Sequence, residues 1–74
     1  MTKYIIVCPK NGKAVQNWSF AAPKHIVYCV SPEWAMKWDE EDSAKHRMEF
    51  LKANFPNQEL TVLRITINTT VTIG

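Results

Sequence analysis

The sequence predicts an α+β fold in which a single helix packs on a three- to four-stranded, mainly antiparallel sheet. The predicted order is β-hairpin, strand, helix, strand. Three observations support it: two strand-like runs flank an Asn-Gly pair, a central stretch repeats apolar residues at helical spacing, and the last stretch alternates apolar with polar residues. At 74 residues with 46% apolar composition, the chain has the length of one domain (1–74) and too many apolar residues for a disordered segment.

The first half of the chain reads as three strands. Residues 3–8, KYIIVC, are β-branched and aromatic, as strands prefer. The pair Asn11-Gly12 predicts a tight hairpin turn, because both residues tolerate positive φ. Residues 13–19 then form the returning strand, and residues 25–30, HIVYCV, form a third strand covered on one or both faces.

A helix is predicted after a short turn at residues 31–34, SPEW. Asp39 is its expected N-cap, followed by acids that suit the positive end of the helix dipole. One apolar stripe at spacings of three and four residues identifies the buried face: Ala44, Met48, Leu51 and Phe55. Pro56 ends the helix.

The final stretch, residues 60–74, alternates in period two, with Leu63, Ile65, Ile67, Val71 and Ile73 on one face. We expect Ile65, Ile67, Val71 and Ile73 to face a core. An uncharged edge of this length invites aggregation, so its backbone should be paired. Either the segment is a central strand, or its far half (Thr69, Thr70, Val71, Thr72 and Ile73) pairs with another chain and gives a homodimer.

The sequence gives little support for catalysis or cofactor binding. It contains two glycines, too few for a phosphate-binding loop, and no serine elbow. We therefore expect no enzyme and no cofactor. A zinc site from Cys8, Cys29, His25 and His46 is not expected either, because four-residue spacing on a strand separates His25 from Cys29 by roughly 13 Å.

The two cysteines, Cys8 and Cys29, are too few for a disulfide scaffold, and no signal peptide or membrane span is recognisable. The sequence therefore predicts a cytoplasmic protein with reduced, mostly buried thiols and no membrane association. A disulfide between the two cysteines requires neighbouring strands, and the predicted compartment argues against it.

Two groups of residues are candidates for binding a protein partner. Trp34 and Phe50 are aromatic anchors of the kind that dominate interface energy, although Phe50 can also belong to a wide buried face. The acids Asp39, Glu40, Glu41 and Asp42 complement the helix dipole as solvated surface. The same four acids can alternatively form an acidic patch that imitates a phosphate backbone and occupies a nucleic-acid-binding protein.

Nucleic-acid binding is the alternative. The net charge is only +2, but residues 1–32 carry four lysines and no acid, while residues 33–74 carry a net charge of −2. Single-stranded nucleic acid could be bound by charge and stacking, through Lys3, Lys10, Lys13 and Lys24 beside Trp18 and Phe20. The ordinary interpretation is a hairpin kept soluble by its lysines.

The order KYIIVC…NGK…W, then EWAMKWDEEDSAKHRMEFL, then an apolar final strand resembles small accessory proteins of bacteriophages and prophages. Trp38, Asp39, Ala44 and Leu51 stand at the matching places. The long uncharged final segment and the third strand depart from that pattern. The resemblance implies no catalytic residues. It implies an early-expressed protein that binds a host or phage protein in the bacterial cytoplasm, as inhibitors of host defence or of host enzymes do.

Together these observations predict a small non-enzymatic protein that binds a protein partner, with self-association as the second interpretation of its last segment. A nucleic-acid-binding module is the alternative, and a structural subunit of a larger particle is a third interpretation.

Overall fold

The computed structural model describes residues 1–66, and the predicted α+β fold is confirmed. A four-stranded antiparallel sheet carries one α-helix. The elements are β1 (Thr2–Cys8), β2 (Lys13–Ser19), β3 (His25–Cys29), a 3-10 helix (Pro32–Trp34), α1 (Glu41–Asn54) and β4 (Thr61–Thr66). The residues predicted to mediate self-association, Thr69 to Ile73, lie outside the described residues.

The strand order is β3-β2-β1-β4, so β1 is central and β4 lies at an edge. The pairing of β1 with β4 runs from Thr2 opposite Thr66 to Val7 opposite Thr61. The alternative in which the last strand is central is therefore wrong for residues 61–66. Strands β1 and β2 are the two interior strands. Strand β1 suits this position because it carries two consecutive isoleucines, one for each face of the sheet, and both are fully buried.

The sheet opens between β1 and β2. These strands pair only at Val7–Ala14 and Cys8–Lys13, next to the turn. Beyond that point the chain segment 36–38 occupies the space between them. The Met36 N–H donates to the Val15 carbonyl (3.1 Å), and Trp38 exchanges two backbone hydrogen bonds of 2.9 Å with Tyr4. A register shift in β2 between residues 15 and 17 accompanies the divergence.

The predicted hairpin is present, and its loop consists of residues 9–12, the stretch between the two predicted strands. Gly12 has φ +70°, and among the described residues no residue other than glycine has a positive φ. The Gly12 N–H donates to the Cys8 carbonyl (2.9 Å). Asn11 contributes through its side chain, whose Oδ1 accepts from the Lys13 N–H at 2.8 Å. Only one of the two turn residues therefore needs the left-handed conformation.

Helix α1 begins one residue later than predicted. Glu40 is the N-cap and makes no side-chain capping hydrogen bond. Asp39, the expected cap, instead forms an ion pair with Lys3 at the start of β1. The helix ends at Asn54. Phe55 is not helical because it directly precedes Pro56, and the proline ring disfavours the helical conformation of the residue before it.

Two apolar clusters flank the sheet. The larger lies beneath the helix and contains Leu51 and Phe55 of the predicted stripe, with Met48 packed against it. Ala44, the first residue of the stripe, is fully buried. The smaller cluster, on the other face, consists of Ile5, Ala14, Cys29 and Ala35 with Val7 and Ile65 beside it. The segment after the 3-10 helix thus covers the second face through Ala35.

Strand β4 departs from the predicted alternation. Val62, on the face expected to be polar, packs into the cluster beneath the helix. Ile65 reaches the smaller cluster on the opposite face as a half-buried residue, and Leu63 is 47% exposed. The apolar odd-numbered face of β4 therefore points away from the helix, where cover is incomplete.

Replacing Gly12 with alanine should lower the free energy of unfolding by about 1–2 kcal/mol, because a residue with a Cβ is strained in the left-handed region. A Cβ at this position would meet no atom within 4 Å, so the cost is conformational rather than steric crowding. Gly12→Asn should cost less, since asparagine tolerates this conformation. Urea unfolding followed by tryptophan fluorescence measures both, and equal stability of wild type and Gly12→Ala would contradict the prediction.

Candidate functional site

The most distinctive surface joins the end of β2 to the C-terminal half of α1. We call it the aromatic–cationic surface and define it by four aromatic residues and two cations: Trp18, Phe20, Phe55, Phe50, Lys24 and Arg47. Strand β2 and the loop after it supply the first aromatic pair and the lysine. The helix and the residue after it supply the rest.

Phe20 is the centre of the ring contacts. Its ring lies edge-on to Phe50 with 5.9 Å between centroids and an interplanar angle of 89°. On another side it stacks on Phe55, again at 5.9 Å, with an angle of 13°. Such pairs each contribute about 0.5–1.5 kcal/mol beyond area burial. Phe20 is nevertheless 51% exposed, so a large apolar ring is held in a defined position at the surface.

Arg47 lies between two rings. Its guanidinium carbon is 5.3 Å from the Trp18 ring centre and 5.1 Å from that of Phe50, within the range of cation–π attraction. Among residues 1–66 it makes no ion pair and no hydrogen bond. Lys24 similarly lies 5.6 Å from the centre of the Phe55 ring. The surface therefore presents two cations positioned by aromatic rings rather than by carboxylates.

A recess of about 440 Å³ adjoins Arg47. It is lined by two large aromatic residues, Trp38 and Phe50, and three polar ones, Ser43, His46 and Arg47. Ser43, Arg47 and Phe50 are three or four residues apart on α1, so they lie on one side of the helix. The recess extends the aromatic–cationic surface toward the start of the helix.

The predicted acidic group does not act as one patch. Asp39 is ion-paired with Lys3, a residue assigned to the alternative nucleic-acid surface. Glu41 pairs with Lys45 one turn later at 2.7 Å, which lowers the pKa of Glu41 and raises that of Lys45. Glu40 and Asp42 are exposed at the helix start without such partners among the described residues.

Trp34 and Phe50, the two predicted anchors, are not brought together. Trp34 is 68% exposed in the 3-10 helix, next to Ala35 in the cluster on the face away from α1. Phe50 is 38% exposed and belongs to the aromatic–cationic surface. Within residues 1–66 no ring contact joins them. The structure thus separates the two predicted anchors.

The four lysines of the alternative surface are also dispersed. Lys10 and Lys13 are exposed at the β1–β2 turn. Lys24 lies at the other end of β2, and a seven-residue strand is about 20 Å long. Trp18 lies near Lys24's end of the strand and contacts Arg47. These lysines therefore lie as one pair at the turn and a single charge, Lys24, at the other end of β2, while Lys3 is paired with Asp39, and they form no continuous groove.

The two thiols are buried, and His25 makes a local contact with the backbone. Cys8 and Cys29 are buried in different clusters on opposite faces of the sheet, and both are free thiols. The His25 ring Nδ1 lies 2.8 Å from the Pro23 carbonyl. Within residues 1–66 no three ligand-type side chains come together in a way that could hold a metal ion.

Tyr28 is the titratable group most altered by its surroundings. Burial raises the pKa of its phenol to about 12, and the neighbouring Cys8 thiol adds to the rise. The hydroxyl donates to Gln58 Oε1 at 2.8 Å. The neutral phenol is therefore favoured in the folded chain, and the group links β3 to the segment after α1.

Two contributors to the surface were not predicted as site residues: Arg47 and Phe55. The spacing of Arg47 and Phe50, three residues apart on a helix, was a signal that these two side chains lie together. No local pattern indicates that Trp18, twenty-nine residues earlier, lies against the same guanidinium.

Comparison with known proteins gives no relative: no protein-family model, no curated protein and no solved structure matches the chain. In the part of the chain that the structure describes, no helix is long and apolar enough to span a membrane.

At pH 8 the free energy of unfolding of the Tyr28→Phe variant should be about 1 kcal/mol lower than that of wild type, because the hydrogen bond to Gln58 is lost. Above pH 10 this difference in the free energy of unfolding between wild type and variant should become smaller. The unfolded chain releases its phenol proton near pH 10 and the folded chain near pH 12, so wild type loses stability across that interval and the variant lacks this contribution. Urea unfolding from pH 8 to pH 12 measures it, and parallel profiles would refute the assignment.

Proposed function

We propose that this chain is a small non-enzymatic binding protein that occupies a protein partner through its aromatic–cationic surface. The observation that carries the proposal is Phe20, a half-exposed ring fixed by two other rings next to Arg47. Aromatic residues and arginine are enriched in the energetic centres of protein interfaces. Anchors already held in position lose less conformational entropy on binding.

The resemblance to phage accessory proteins supports a narrower version of this proposal. In that version the partner is a host or phage protein in the bacterial cytoplasm, and binding inhibits a host defence system or a host enzyme. Homodimerisation through the segment after β4 remains compatible with either version.

The Phe20→Ser variant should lose its partner. The tagged wild-type chain is used to capture proteins from a bacterial host lysate, and the captured protein is identified and then titrated in purified form. Because interface centres contribute about 2 kcal/mol or more, we expect affinity to fall at least about 30-fold.

Val30→Ser is the matched control, since Val30 is an 84% exposed apolar residue that is not part of the aromatic–cationic surface. Its affinity should equal that of wild type, and circular dichroism should show both variants folded. Equal affinities of folded Phe20→Ser and wild type would remove this surface from the function, and absence of any specific partner would overturn the proposal itself.

Nucleic-acid binding stays as the second candidate, because Lys24 and Arg47 beside exposed Phe20 combine positive charge with a stacking platform. Fluorescence anisotropy with a single-stranded oligothymidylate at 50 and 200 mM salt tests it. Under the leading proposal we expect no saturable binding. Salt-dependent binding weakened by Lys24→Gln, but not by Lys10→Gln at the distant turn, would instead support the second candidate.

A further inference from the structure

We infer that Arg47 is the receptor for a single carboxylate of the partner, and that an apolar side chain next to this carboxylate packs on Phe20 and Phe50. The ligand class is thus a peptide segment with an acidic residue beside an aromatic or aliphatic one. This inference rests on the proposed function and specifies the chemistry of its contact.

The first argument is the unused hydrogen-bonding capacity of Arg47. A guanidinium carries five N–H donors in a planar fork that matches a carboxylate with two parallel hydrogen bonds. No acceptor among residues 1–66 takes any of them. The rings of Trp18 and Phe50, at 5.3 and 5.1 Å, already position the group. The site is therefore oriented before an anion arrives.

The second argument is the neighbourhood of the guanidinium. Exposed Phe20 lies against Phe50 on one side, and the recess lined by Trp38, Ser43 and His46 lies on the other. An apolar side chain adjacent to the carboxylate would cover ring surface and exclude water from the ion pair. Exclusion of water strengthens charge attraction, which is weak when fully solvated.

The third argument separates one carboxylate from a chain of phosphates. The recess reaches Ser43, and two of the acids at the helix start just before it, Glu40 and Asp42, have no ion-pair partner among residues 1–66. A polyanion extending from Arg47 along the recess would meet this negative charge, whereas a single carboxylate would not. Lys10 and Lys13 lie at the β1–β2 turn, about 20 Å away along β2, and are too distant to compensate for this negative charge.

The test uses the intact chain and two synthetic peptides, acetyl-Gly-Phe-Glu-Gly-amide and the same peptide with glutamine in place of glutamate. Two-dimensional ¹H–¹⁵N NMR follows the Arg47 side-chain Nε–H and the Trp18 indole N–H. We expect saturable shifts of both signals with the glutamate peptide and at least five-fold weaker binding of the glutamine peptide.

The Arg47→Lys variant should also bind the glutamate peptide at least five-fold more weakly, because lysine keeps the charge but loses the planar fork and the ring stacking. Arg64→Lys, a matched change on β4, should bind as wild type does. The Arg64→Lys variant should also give the NMR spectrum of a folded protein, and it shows whether replacing any arginine with lysine weakens binding.

Several outcomes would overturn the inference: absence of saturable binding, equal binding of the two peptides, or wild-type binding by folded Arg47→Lys. Tighter saturation by inorganic phosphate or by an oligothymidylate would also overturn it, in favour of a phosphate site. A different result would overturn the proposed function. If a captured partner binds wild type and Arg47→Lys equally, the binding function stands and only the carboxylate receptor is removed.

Discussion

The insertion of residues 36–38 between β1 and β2 is the constraint on which the rest of the structure depends. Two adjacent strands of a hairpin would ordinarily pair along their full length. Here the pairing stops after Val7–Ala14, and the reciprocal hydrogen bonds of Tyr4 with Trp38 take its place. Backbone groups that would otherwise be buried without partners are thereby satisfied.

This divergence also determines where the aromatic residues lie. As β2 leaves β1, the end of the strand and the loop after it place Trp18 and Phe20 at the side of the helix, where Arg47 contacts Trp18 and Phe50 contacts Phe20. The inserted segment brings Trp38 to the other side of the recess. The binding surface that we propose is therefore a product of the opened sheet, and it is built from three parts of the chain that are distant in sequence.

The fold could be predicted from the sequence because its determinants are local. The turn glycine, the helical stripe from Ala44 to Phe55 and the helix-ending Pro56 each act within a few residues, and the structure contains all of them. The candidate site could be predicted only in part. Phe50, Trp18 and Lys24 were identified singly, but their assembly depends on tertiary contacts. Asp39 and Lys3, thirty-six residues apart, neutralise each other, so two predicted surfaces that looked independent share an ion pair.

The position of β1 has a consequence for the order in which the protein is made. Its two consecutive buried isoleucines are synthesised before β4, the strand that pairs with β1 from Thr2 to Val7 and is separated from it by more than fifty residues. A ribosome adds about 5–20 residues per second, so this apolar strand waits several seconds for its principal partner. During that interval the hairpin turn supplies only two paired positions. The most buried strand of the finished domain is thus the one exposed longest in the nascent chain.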